Sequence, residues 1–118
     1  MTDSELLALS ARAHGGLEYV PEMGWIHVNP DGTRGAWWNP LTNDGDAFAL
    51  MVKLGISLTP NPVFDHPKHS VAATQCRYGD LSRKLNPTEV VEQYENDPCA
   101  ATRRAIVRCA AAILKEVP

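Results

Sequence analysis

No run of apolar residues approaches the roughly eighteen needed to cross a bilayer, so nothing in the 118 residues reads as a membrane span. Cysteine is scarce as well. Cys76, Cys99 and Cys109 are odd in number and lack framework spacing, which excludes a disulfide scaffold and reads as reduced thiols. The opening Met1-Thr2-Asp3-Ser4-Glu5 has neither the basic start nor the apolar stretch of a secretory signal, and a cytosolic protein is expected. Basic residues are too few to dominate: 11 Lys and Arg against 14 Asp and Glu leave a net charge of −3. That balance argues against nucleic acid as an electrostatic partner of the whole chain. The sequence also lacks a Gly-rich phosphate loop, a nucleophile elbow, a His-Glu-x-x-His helix, internal repeats and low-complexity tracts.

What is present is ordinary for a globular chain: 44% hydrophobic and 21% charged residues, enough for one domain over residues 1–118 to bury a single core. Thr2-x-x-Glu5 has the form of a capping box, and the following leucines and alanines predict a helix that stops at Gly15-Gly16. Trp25 to Asn29 and Arg34 to Trp38 flank the turn Pro30-Asp31-Gly32-Thr33, which predicts a hairpin holding all three tryptophans. A second helix follows over Ala47 to Leu54, with Asn43 or Asp44 as its cap, Gly55 as its end, and Phe48, Met51, Val52 and Leu54 near its buried side. Short strands are expected at Ile56 to Leu58 and within Val71 to Tyr78. Residues 87–95 suit either a helix or a strand, with the strand preferred. Asp97-Pro98 opens a last helix whose apolar stripe is Thr102, Ile106, Cys109, Ala110, Ile113 and Val117, opposite Arg104, Arg108 and Lys115. The expected architecture is α+β, a small, mostly antiparallel sheet packed by about three helices in the order α-β-β-α-β-β-α.

Two blocks, Trp38-Asn39-Pro40-Leu41-Thr42-Asn43-Asp44-Gly45-Asp46-Ala47 and Ala101-Thr102-Arg103-Arg104-Ala105-Ile106-Val107-Arg108, resemble a group of small proteins of tailed bacteriophages and prophages. The resemblance bears on ancestry and implies no catalytic residue, while Pro60 to Asn86 carries no part of it. It implies a phage-encoded accessory protein in the cytoplasm of a bacterial host, acting by binding and engaging or inhibiting a host defence or regulatory protein.

The residues themselves offer few alternatives. Adjacent Trp37 and Trp38 must point to opposite sheet faces, so one is expected in the core and the other outside as a contact. Arg104 and Arg108 lie one turn apart and are the other contact candidates. A tryptophan stacking a base with an arginine meeting a phosphate would make a nucleotide-like small-molecule sponge, the second reading. The third is a small metal-dependent hydrolase using Asp65, His66, His69 and Cys76. His66-x-x-His69 plus one cysteine falls short of a zinc set, so no metal and no cofactor are expected. The acidic and amide residues of Asn39 to Asp46 fail the calcium-loop register and are read as helix capping. Pro98-Cys99 lacks both the second cysteine and the glutamate of a cytidine deaminase. A binding protein rather than an enzyme is the expectation.

Overall fold

A computed structural model of the chain describes residues 1–60, 70–75, 88–93 and 97–115. The architecture is α+β. Helix α1 spans Asp3–His14, strands β1, β2 and β3 span Leu17–Val20, Gly24–Val28 and Arg34–Trp38, and α2 spans Asp44–Leu54. Strands β4, β5 and β6 follow at Ile56–Pro60, Ser70–Gln75 and Thr88–Gln93, and α3 spans Pro98–Lys115.

Local chemistry fixes the helix ends. The Thr2 hydroxyl accepts from Glu5 N at 3.2 Å, and the Asp97 carboxylate accepts from Ala100 N at 3.0 Å. Gly55 closes α2 in the left-handed region, φ 66° and ψ 38°, which an L side chain would resist. The turn between β2 and β3 is built by Asp31, whose carboxylate accepts from the Thr33 amide and hydroxyl.

The strands form two antiparallel sheets of three, β1-β2-β3 and β4-β5-β6, where the sequence predicts one sheet and fewer strands. The added strand β1 pairs with β2 through the turn Val20-Pro21-Glu22-Met23. Proline in second place and positive φ in third follow the type II pattern, but the third residue is Glu22, at φ 67°, where glycine is the usual sign. Within the ambiguous segment, Thr88–Gln93 forms strand β6, paired with β5 from Ser70↔Gln93 to Gln75↔Thr88, while residues 87, 94 and 95 lie outside the described residues.

Helix α3 lies against α1, α2, β5 and β6 and so occupies the centre of the molecule. Its Ala105, Ile106, Val107, Cys109, Ala110 and Ala111 are buried in one cluster with Leu6, Trp38, Ala47, Leu50, Ile56, Val71, Ala73 and Val90. The alanines matter because small side chains let neighbouring backbones approach closely. The expected burial in α2 needs correction. Ala47 and Leu50 face the core, whereas Phe48 and Val52 are each 62% exposed. An eleven-residue helix that is apolar nearly all round buries only the side its neighbours cover, and the surplus faces water.

Candidate functional site

The Trp38–Ala47 block acts first as a clasp. Asn43 Oδ1 accepts from Asp46 N at 2.9 Å, Asp46 Oδ2 accepts from Asn39 N at 2.9 Å, and Asn39 Oδ1 accepts from Leu41 N at 3.0 Å. Pro40 is fully buried within it, and a Cβ on Gly45 would stand 3.2 Å from Asn43 Oδ1, crowding the cap. Arg103 locks this clasp to α3, donating from Nε to the Leu41 carbonyl at 2.8 Å and from Nη1 to Asp44 Oδ1 at 2.7 Å. Its side chain is only 17% exposed, so the carbonyl bond is sheltered, whereas Asp44 is largely in water and contributes little as an ion partner. Nothing local in the sequence signals this role, because the partners of Arg103 are remote in the chain.

Beside the clasp lies an open groove of about 360 Å³ between α2 and α3, floored by Ala47, Met51, Leu58 and Ile106 and flanked by Phe48 and Cys99. Phe48 and Val52, one turn apart, make an apolar ridge along α2. The exposed Asp44 and Asp97 stand at the N-terminal ends of the two helices. Sequence periodicity missed this surface by assigning Phe48 to the core. The available signal was the excess of apolar residues over what one helix face can bury.

The tryptophans divide as expected of adjacent strand residues. Trp38 is 2% exposed and packs in the core, its ring centroid 5.6 Å from that of His14, whereas Trp37 is 49% exposed. Trp38 is therefore withdrawn from the contact candidates. Its Nε1–H is buried and meets no acceptor among the described residues. His14 is itself 5.8 Å from His27, ring to ring, and donates from Nδ1 to the Gly15 carbonyl. Burial holds the His14 imidazole below its ordinary value, with the nearby Lys53 and His27 acting in the same direction and the Gly15 bond and Asp46 opposing.

Arg104 and Arg108, the contact candidates on one face of α3, are both engaged within the fold. Arg104 Nη1 donates to Asp3 Oδ1 at 2.8 Å, and its Nε stands 3.7 Å from Glu92 Oε1. Arg108 Nη1 donates to the same Glu92 oxygen at 2.5 Å and reaches the Val91 carbonyl at 3.5 Å. The two arginines therefore tie α3 to β6 and to α1. They also line a pocket of about 420 Å³ that contains no tryptophan, so among the described residues the base-stacking and phosphate-binding halves of a nucleotide site are not brought together.

Asp65, His66, His69 and Cys76 lie outside the described residues. Among the described residues, no group of three His, Cys, Asp or Glu is placed to hold a metal ion, and no helix is long and apolar enough to cross a membrane. The described surface offers, among other features, an apolar groove and an arginine-lined pocket. Comparison of the chain with protein-family models, with curated proteins and with solved structures gave no match.

Proposed function

We propose that this chain is an accessory protein of a tailed phage or prophage that acts by binding a host protein in the bacterial cytoplasm, and that it does so through the groove between α2 and α3. The observation that carries the reading is the ridge of Phe48 and Val52 standing exposed beside an apolar groove. Adjoining exposed apolar side chains beside an apolar groove, unlike single scattered ones, are the kind of surface that interaction sites use. The fitting partner is an amphipathic segment that lays an apolar strip into the groove and carries Lys or Arg toward Asp44 and Asp97. Phage origin rests on the two sequence blocks, and a binding role rather than catalysis rests on the kind of surface available. The nucleotide-sponge reading has less support, because Trp37 and the arginine pair belong to separate places in the fold.

The test has two stages. A host protein captured on the wild-type chain is purified, the complex is re-formed from the two pure components, and its affinity is compared for wild type and Phe48→Asp. Phe48 is exposed, so Phe48→Asp should keep its unfolding midpoint while weakening the complex by about ten-fold or more, as expected of an interface aromatic. A photo-crosslinker placed on Cys99 should reach the same partner. Unchanged affinity in Phe48→Asp, or capture of no host protein that re-forms a complex, would refute the proposal.

A further inference from the structure

The geometry points to a second site: we infer that the pocket between α1, β6 and α3 binds a small organic carboxylate with an apolar body. Its lining joins two cations, Arg104 and Arg108, to one carboxylate, Glu92, and to an apolar wall that includes Leu6, Val90 and Ala112. The two guanidinium groups are met by two carboxylates, Asp3 on Arg104 and Glu92 beside both, so what the pocket offers a ligand is free donors and not a surplus of charge. A single oxygen, Glu92 Oε1, serves both guanidinium groups. With Nη1 of Arg104 engaged by Asp3 and Nη1 of Arg108 by Glu92, Nη2 of Arg104 and Nε and Nη2 of Arg108 meet no acceptor among the described residues. A guanidinium with such an unspent edge is shaped for a two-oxygen acceptor.

The remainder of the wall selects the rest of the ligand. Alanine side chains on α3 leave room, and the pocket's roughly 420 Å³ falls at the small end of ligand sites, enough for an aliphatic or aryl acid of roughly six to ten carbons. Among the described residues the lining carries no aromatic ring, and so no platform for a nucleobase to stack on. Glu92 has a defined part in this scheme. It holds the two arginines aligned when the pocket is empty and competes with the incoming carboxylate for the same donors.

That competition makes the test directional. Hexanoate is titrated into the protein while backbone amide NMR signals are followed, with hexanamide as the neutral isostere and inorganic phosphate as a plain anion. Hexanoate should give saturable shifts centred on α3 and β6, with hexanamide and phosphate each weaker by about ten-fold or more, one charge-assisted bond's worth. Arg108→Gln should weaken hexanoate binding, Glu92→Gln should tighten it, and Ala112→Phe should abolish it by filling the space. Equal binding of hexanamide, tighter binding of phosphate, or no saturable shift in the wild-type protein would overturn the site without any variant. Movement of Arg108→Gln and Glu92→Gln in the same direction would overturn it as well.

Discussion

Replacing Trp38 and Trp37 separately by alanine tests the arrangement of the first sheet, because these neighbours sit 2% and 49% exposed. A buried tryptophan removes about 200 Å² from water, which at about 25 cal/mol per Å² is about 5 kcal/mol. Against this, Trp38→Ala also removes an indole N–H that is buried without an acceptor among the described residues, and relief of that group returns about 1–2 kcal/mol. The expected net loss is therefore about 3–4 kcal/mol, a large share of the about 5–15 kcal/mol that a domain possesses. Trp37 is paired across the strands with Ile26, and Trp37→Ala should cost only about 1 kcal/mol, the scale of a cross-strand pair. Trp38→Phe sharpens the argument: it keeps most of the packing and sheds the unpaired donor, so it should cost about 1 kcal/mol. Urea unfolding followed by far-ultraviolet circular dichroism is the assay, since fluorescence would change with the substitution itself. With a slope of about 2 kcal/mol per molar, Trp38→Ala should lower the midpoint by about 1.5–2 M. Equal losses at the two positions, or a Trp38→Phe as costly as Trp38→Ala, would refute the reasoning.

Two further outcomes are expected. Glu22 holds φ 67° in the β1–β2 turn, so Glu22→Gly should stabilise the protein by about 0.5–1 kcal/mol in thermal or urea unfolding, and a destabilised variant would contradict the strain. His14 is held below 6.5 by burial, so the unfolded chain takes up a proton first as pH falls. Stability attributable to His14 is therefore complete above 6.5, declines as pH drops from there through the lowered folded value, and levels off below it. Urea midpoints measured across that window should show the decline in wild type and lose that component in His14→Gln. A midpoint that rises on acidification would reverse the sign.

How much of this was legible follows the range of each interaction. Thr2, Asn43 and Asp97 act on amides three residues away, and Gly55 acts through its own dihedral angles, so helix starts and stops could be read directly. Strand β1 was hidden because its turn carries Glu22 where a glycine would have announced it. The division into two sheets depends on which strands meet, which no local pattern records. Of the candidate contacts, the opposition of Trp37 and Trp38 followed from the strand's two-residue period. The roles of Arg103, Arg104 and Arg108 did not, because their acceptors at Leu41, Asp3 and Glu92 are brought in by the fold. Phe48 was misplaced because hydrophobic periodicity reports what can be buried and not what a neighbouring element covers.

The central position of α3 also orders events during synthesis. Every other described element precedes this helix in the chain, yet Ala105, Ile106, Val107, Cys109, Ala110 and Ala111 supply the middle of the core. Until α3 leaves the ribosome, α1, α2 and the second sheet lack the helix that packs against each of them, and Leu41 and Asp3 wait for arginines that are not yet made. Native contacts must then close over most of the chain's length at once, which slows folding and prolongs the exposure of apolar surface. A nascent chain stalled just short of Pro98 should accordingly remain sensitive to protease and be held by chaperones, and both properties should vanish together once the helix has emerged.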